Sequence, residues 1–367
     1  MFDTDLLVIG GGPAGLAAAI AARREGLRVL VADSRQPPID KACGEGLMPD
    51  ALEAARSIGV NIPTTLGATF RGIHFLGRDH DVAADFPDGR GLGVRRVALH
   101  ELLRDHASRA SVEFSWGSPV TGFDGESMMV CGRRLRARWI AGADGAHSAV
   151  RRWTGLDEFR RDRRRFGFRR HYAVAPWSER MELHWGDGCQ FYVTPISERE
   201  VCVVLMSRDS HLRLNDALPQ FPRLAARLSG VTPVTEERGA LSSTCRIHGV
   251  TRGRVALIGD ASGRVDAITG DGLCLAFRQA AALARALALA DLSHYEAEHR
   301  RLSRRPMFMA DFMLTLERRT FLQDRALRAL ASRPALFEKM LAMHVGKLSW
   351  GDFARIGVAL GWRLAWA

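Results

Sequence analysis

The chain has 367 residues, 47% hydrophobic and 25% charged, with a formal net charge of +11. That composition excludes a disordered chain and leaves room for one large or two ordinary domains with a sizeable core. The charge suits anionic cofactors, anionic lipid surfaces or acidic partners, and with no zinc-finger spacing or RRM-type aromatic signature, nucleic acid is not expected.

Residues 6–9 form a short apolar run bounded by glycines, which predicts a buried parallel strand. The turn after it spells Gly10-Gly11-Gly12-Pro13-Ala14-Gly15, with Gly10, Gly12 and Gly15 at G-x-G-x-x-G spacing. An Ala-rich helix follows to about Gly26, and a second apolar run over 29–32 ends at Asp33. Gly10 allows the tight turn, Gly12 lets backbone approach a pyrophosphate, and Gly15 lets helix and strand pack closely. The helix N-terminus receives phosphate charge, and Asp33 is placed to bond a ribose diol. Strand, turn, helix, strand and acid in this order predict dinucleotide binding rather than a plain glycine-rich turn.

A Pro-containing loop over 35–39 leads to Lys41-Ala42-Cys43-Gly44-Glu45-Gly46, then a helix over Pro49–Ser57 with Gly59 near its C-cap. Residues 67–86 read as strands of a separate sheet, and 94–107 turn helical with an apolar stripe at Val97, Leu99, Leu102, Leu103 and Ala107. Short strands are expected at 112–116 and 127–130. The basic stretch 160–170 reads as a solvated loop and strand edge, with attraction of a phosphate-bearing cofactor or anionic surface as its functional alternative. Residues 166–207 are strand-like, 215–228 helical, and 254–260 another buried strand returning to the first sheet, followed by an Ala-rich helix over 272–290. The tail, 294–367, reads as helices broken near Pro306 and Pro334 and ending in apolar residues 356–362. Core or domain cover is its preferred reading, with peripheral membrane contact as the alternative.

The order fits an α/β fold: a Rossmann-like, mostly parallel βαβ domain interrupted by an antiparallel-sheet substrate domain, with a C-terminal helical tail. The expected boundaries are 1–66, 94–155 and 244–292 for the first, 67–93 and 156–243 for the second, and 293–367 for the tail. The six cysteines, Cys43, Cys131, Cys189, Cys202, Cys245 and Cys274, form no C-x-x-C pair. They predict reduced thiols, no metal site and a cytoplasmic setting, peripheral to the membrane if the tail touches lipid. No signal peptide and no spanning helix are expected.

Two further motifs complete the pattern. Gly142-Ala143-Asp144-Gly145-Ala146-His147-Ser148-Ala149-Val150-Arg151 resembles the D-G-x-x-S-x-x-R motif of flavin-dependent monooxygenases. Leu257-Ile258-Gly259-Asp260-Ala261-Ser262-Gly263, continuing to Thr269-Gly270-Asp271-Gly272-Leu273, resembles the second FAD-binding motif of the same superfamily, the p-hydroxybenzoate hydroxylase fold. The resemblance covers roughly residues 1–290 and implies noncovalent FAD, with NADPH or NADH as electron donor. It implies cofactor contacts from Gly10, Gly12, Pro13, Ala14, Gly15, Asp33, Ser34, Arg35, Cys43 and Gly44. It implies them also from Arg96, Asp144, Gly145, Gly259, Asp260, Gly270, Gly272 and Leu273. Asp260 would meet the ribityl chain and pyrophosphate, and Arg96, in an R-x-x-L helix start, a FAD phosphate. A surface role for Arg96 and a helix-capping role for Asp144 stand as alternatives.

Lys41–Gly46 resembles the K-x-C-G-x-G loop of geranylgeranyl-reductase-type flavoproteins, and T-G-D-G resembles their T-G-E-G. Phe191-Tyr192-Val193-Thr194-Pro195 is similar to that branch's aromatic–Pro strand but lacks its Trp. Cys43 and Glu45 are the catalytic candidates. Cys43 orients substrate or assists proton transfer, or else fills a tight glycine loop. Glu45 is a proton donor or, the preferred reading, an exposed loop carboxylate. His147 reads as structural, and His100 and His171 are assigned no catalytic role.

The resulting expectation is a monooxygenase that hydroxylates or epoxidises a hydrophobic aromatic or polyketide-like small molecule. The alternative is a reductase of isoprenoid or lipid alkenes. A non-enzymatic basic lipid- or nucleic-acid-binding protein would leave the three motifs without a reason. A monomer or homodimer is expected.

Overall fold

The computed structural model describes residues 2–348 and residue 351, and for 159–163 the backbone alone. Six strands form the first sheet, in the order Thr251–Arg252, Val255–Leu257, Ala137–Gly142, Thr4–Ile9, Val29–Asp33 and Glu113–Trp116. All neighbours are parallel except the terminal pair, 251–252 with 255–257. Covered on both faces, the central strand buries Leu6, Leu7 and Val8 completely, as a parallel strand must. The helix Pro13–Arg24 starts with proline in its first turn and packs Leu16, Ala17, Ala18 and Ala21 inward. Beside it lies Gly272–Ala288, whose buried face carries Phe277, Ala280 and Ala284. Small side chains let these two helices approach closely.

Seven strands form the second large sheet: Arg238–Ile247, Phe159–Tyr172, Glu200–Ser207, Cys189–Ser197, Met181–Trp185, Gly72–Leu76 and Asp81–Asp85. It is antiparallel except for the parallel seam between Met181–Trp185 and Gly72–Leu76. Period-two alternation sorts its side chains. Tyr192, Ile196, Cys202, Val204 and Met206 face one apolar cluster, shared with the helices Thr320–Ala331 and Pro334–His344. Phe191, Val193, Val203 and Leu205 face another, covered by residues 214–228. That covering piece is two short helices and a 3-10 turn rather than one helix, with proline opening Pro222–Leu228.

Three expectations need correcting or bounding. The basic stretch 160–170 is no strand edge: Phe159–Tyr172 lies between two antiparallel neighbours, and Arg165 and Arg169 are buried, each charge matched by carboxylates. The tail is not broken at Pro306, which sits inside the continuous helix Leu292–Glu317. Proline removes one backbone donor there, but burial of Ser303, Pro306, Met309 and Ala310 holds the helix across it. A new helix does start at Pro334. The apolar end at 356–362 lies outside the described residues. Among the described residues, no helix is long and apolar enough to cross a membrane.

Candidate functional site

The glycine turn is locked by backbone contact. A Cβ at Gly15 would lie 1.9 Å from the Gly10 carbonyl oxygen, and one at Gly10, where φ is +109°, 2.4 Å from that of Ala143. Only glycine fits at either. Gly12 is different: a Cβ there would meet nothing within 4 Å. Asp33 accepts from the Gly11 amide at 2.7 Å and from the Arg35 amide at 2.8 Å, so the acid at the strand tip braces the turn. His100 closes the other side, with Nε2 2.9 Å from the Gly11 carbonyl oxygen and Nδ1 accepting from the Ile39 amide. Burial lowers its pKa, in keeping with a neutral ring donating through Nε2. Sequence reasoning missed this brace; its signal was the position one turn into the helix that Arg96 begins.

Asp144 spends its carboxylate on the next helix. It accepts from the Ala149 amide at 2.7 Å, the Val150 amide at 3.1 Å and the Ser148 hydroxyl. The D-G motif's arginine crosses to the third motif: Arg151 is buried and donates to the carbonyl oxygens of Ala261 and Ala146, both at 3.0 Å. Gly259, with φ +62°, donates its amide to Gln279 Oε1, and a Cβ there would lie 2.6 Å from Ala14 Cβ. Gly10 with Ala143, Arg151 with Ala261, and Gly259 with Ala14 thus bring three turns, far apart in sequence, to one place.

The loop 41–46 bridges this place to the seven-stranded sheet. Lys41 Nζ lies 2.6 Å from Asp260 Oδ2, both side chains partly exposed. Burial opposes the Asp260 charge, but Lys41 outweighs it and lowers the carboxyl's pKa. The Gly44 carbonyl oxygen accepts from Thr194 Oγ1 at 2.8 Å, and Cys202 Sγ lies 3.8 Å from that of Cys43. A family model described as FAD binding domain matches residues 3–302, the span that carries all three turns.

The chain belongs to the FAD binding domain family.

Among curated relatives of this flavoprotein, menaquinone reductase of Mycobacterium tuberculosis is 27% identical over 298 residues, covering 74% of this chain and 73% of that protein. Digeranylgeranylglycerophospholipid reductase of Methanosarcina acetivorans is 33% identical over 167 residues, covering 42% and 40%. Rifampicin monooxygenase of Streptomyces venezuelae is 30% identical over 164 residues, covering 41% and 34%. The fold matches a flavoprotein/dehydrogenase from Cytophaga hutchinsonii with a TM-score of 0.80 at 19% identity, over 94% of this chain and 92% of that one. The chain is therefore a flavin-dependent oxidoreductase with the expected α/β architecture.

The residues fit FAD. Gly12, Gly44 and Gly272 each leave open space where a Cβ would stand. The helix Pro13–Arg24 has no side-chain cap, so its first-turn amides remain for an anion. Pro13 and Ala14 open that helix, Ser34 and Arg35 lie exposed beside Asp33, and Gly145 and Gly270 sit at left-handed φ of +80° and +71°. Arg96 is half-buried, its amide donating to Glu45 Oε1, and Leu273 is half-buried in the first turn of Gly272–Ala288.

Of the catalytic candidates, Cys43 is half-buried and its Sγ accepts from the Glu45 amide at 3.4 Å. Glu45 overturns the expectation of an exposed carboxylate. It is 2% exposed with φ +60°, its Oε1 2.8 Å from Arg169 Nη1 and its Oε2 2.6 Å from His171 Nε2. Arg169 also grips Asp40 through both terminal nitrogens, at 3.1 and 2.9 Å, and His171 Nδ1 meets Thr235 Oγ1 at 3.0 Å. His171, which had no motif partner, thus belongs to this network. The signal was period-two alternation over 165–171, with Arg165, Arg169 and His171 on one face and Phe166 and Phe168 on the other. Glu45, His171 and Cys202 offer ligand atoms within 4.8 Å of one another, but the Arg169 guanidinium on Glu45 opposes a cation there. Burial and Glu45 push the Cys202 thiol well above its usual range, leaving it a poor thiolate ligand.

Proposed function

We propose that the protein is an FAD-dependent reductase that saturates an alkene of a hydrophobic isoprenoid or lipid substrate, with NADH or NADPH as electron donor. The observation that carries this reading is the loop 41–46. Its lysine reaches the FAD-motif aspartate while its glutamate is pinned to the seven-stranded sheet, which places Cys43 and Gly44 across the seam between the two sheets. The menaquinone reductase relative supports it, since that match spans most of both chains and the monooxygenase match a minority of each.

In this reading Gly12 and the first helix N-terminus take the pyrophosphate, Asp33 the adenosine ribose, and Lys41 and Asp260 the ribityl–pyrophosphate region. Arg96 and the backbone at Gly44, Gly145, Gly259 and Leu273 complete the cradle. FAD supplies the two-electron chemistry, and the protein positions substrate and sets the electrostatics. The N-terminus of Gly272–Ala288 offers positive potential to negative charge arising beside it. Cys43 orients the substrate or assists proton transfer. The long helix exposes Phe308, and Phe321 lies exposed under the Arg325 guanidinium at 5.0 Å. Exposed aromatic side chains, one of them beneath an arginine, suit a peripheral contact with the lipid from which such a substrate comes.

The test is anaerobic turnover. Holoenzyme reduced with NADPH is mixed with geranylgeraniol or with a menaquinone in detergent, and the product is weighed by mass spectrometry. A gain of two hydrogens that survives exposure to air is expected. A gain of one oxygen, formed only when oxygen is admitted, would replace this reading with the monooxygenase one.

A further inference from the structure

Between the left-handed Gly270 and the open Gly272 stands a carboxyl group that none of the binding roles above uses. Asp271 is 5% exposed, and its backbone carbonyl accepts from the Leu275 amide, so it starts the helix with its main chain alone. Its Oδ2 is buried with no hydrogen-bond partner. The other carboxylates nearby are committed: Glu45 to Arg169 and His171, Asp260 to Lys41, Asp266 to Arg165 at 2.8 Å, and Asp50 to Arg278 at 3.1 Å. Among the described residues no arginine or lysine bonds Asp271.

Three other elements present charged groups to it. His344, on Pro334–His344, holds Nε2 4.0 Å from Oδ2 while that nitrogen lies 2.9 Å from the Thr269 carbonyl oxygen. Asp50, on Pro49–Ser57, repels a negative charge at Asp271, and Arg305, on Leu292–Glu317, attracts one. Burial is the largest influence, and with Asp50 it outweighs His344, a hydrogen bond from the Thr269 side chain and Arg305, so the carboxyl keeps its proton above the ordinary aspartate range. Two neighbouring carboxyls, one bonded to arginine and one bonded by no arginine or lysine among the described residues, sit in environments of different kind, the contrast on which acid and base roles are divided.

We propose that Asp271 is the acid that protonates the substrate carbon in alkene reduction, with His344 and Asp50 as positioning residues. The inference rests on the reductase reading. The alkene π bond would break, with one new C–H bond taking the hydride equivalent that FAD, reduced by NADPH or NADH, would supply when bound, and the other taking the Asp271 proton. The carboxylate left behind is reprotonated from water. His344 lies beyond residue 302, where the family match ends, so this pairing belongs to the part of the chain that the family model does not describe.

Two measurements on the holoenzyme test it. In the first, prereduced enzyme is mixed anaerobically with geranylgeraniol or menaquinone and flavin reoxidation is followed. Asp271→Asn should slow reoxidation by about 100-fold, keep reduction by NADPH and FAD affinity near wild type, and be partly rescued by Asp271→Glu. In the second, thermal unfolding is followed against pH without substrate. The stability of wild type relative to Asp271→Asn should fall as pH rises above the unfolded aspartate value, because only the folded wild type still holds that proton. Wild-type reoxidation by Asp271→Asn, or a rate lost only through weakened FAD binding, overturns the proposal. Failure of the wild type to reduce either probe removes the reductase reading and the proton-donor role with it. A wild-type minus Asp271→Asn difference that does not fall with rising pH shows that Asp271 carries no extra proton and is equally fatal.

Discussion

The ion pair between Lys41 Nζ and Asp260 Oδ2, 2.6 Å long, joins residues 219 positions apart and ties the reductase-like loop to the third FAD-binding turn. Both side chains are near half exposure, so the pair stabilises the fold by less than about 1 kcal/mol. Its larger effect is expected on FAD binding. Asp260→Ala should weaken FAD binding about tenfold, roughly 1.4 kcal/mol, with Lys41→Met intermediate, as measured by flavin fluorescence titration. Lys41 lowers the Asp260 pKa, so the pair's contribution is present above the unfolded aspartate value and drains away as pH falls through the folded one. In Lys41→Met that acid slope should flatten. FAD affinity unchanged in Asp260→Ala would remove this residue from the cradle.

Gly12 and Gly15 separate binding from folding. An alanine at Gly15 would press its Cβ to 1.9 Å from the Gly10 carbonyl oxygen, and a clash with backbone has little room to relax. Gly15→Ala should cost about 3 kcal/mol in urea unfolding of the apoprotein. Gly12 sits at φ −72°, ordinary for any residue, with open space at its Cβ. Gly12→Ala should leave apoprotein stability within about 0.5 kcal/mol yet weaken FAD binding tenfold or more. Equal effects of the two substitutions on folding would contradict this division.

The first βαβ unit was legible because each step has a local cause: an apolar run, glycines that no other residue can replace, and an acid at the strand tip. The meeting of three distant turns was legible only through motif likeness, since nothing local in 142–151 announces that Arg151 will reach Ala261. Glu45 was misread for the opposite reason. A charged residue in a glycine-rich loop looks solvated until Arg169 and His171 arrive from a strand more than 120 positions away. The same distance hid the burial of Arg165 and Arg169, whose carboxylate partners lie at positions 266 and 317 and at 40 and 45. Charge patterns in sequence report exposure well only when the countercharge is local.

Glu45 should behave as a structural clamp. Glu45→Ala leaves Arg169 short of one carboxylate in a buried site and should cost about 3–5 kcal/mol in chemical denaturation. Glu45→Gln keeps an acceptor for the Arg96 amide and should cost less. Both should loosen the Cys43 loop, visible as faster reaction of Cys43 with a thiol reagent in the folded protein. A Glu45→Ala variant within about 1 kcal/mol of wild type would show that Asp40 alone satisfies Arg169.

The long helix Leu292–Glu317 supports the third motif from beneath. Tyr295 donates its hydroxyl to the Leu257 carbonyl oxygen at 2.7 Å, and His299 Nε2 lies 3.0 Å from Ser262 Oγ, which donates to the Gly259 carbonyl oxygen. Ser262 thus accepts from a neutral His299. Burial pushes the His299 pKa down to about 4. The unfolded chain takes up this proton near pH 6.5, while the folded chain resists until about pH 4. Stability tied to His299 is therefore complete above the unfolded value and declines as pH falls toward the folded one, by about 3 kcal/mol in all. His299→Gln keeps a donor for Ser262 and cannot titrate, so its unfolding free energy should lose most of the decline between those two pH values. An unchanged acid slope in His299→Gln would mean that the ring is already protonated in the folded protein and that Ser262 is held some other way.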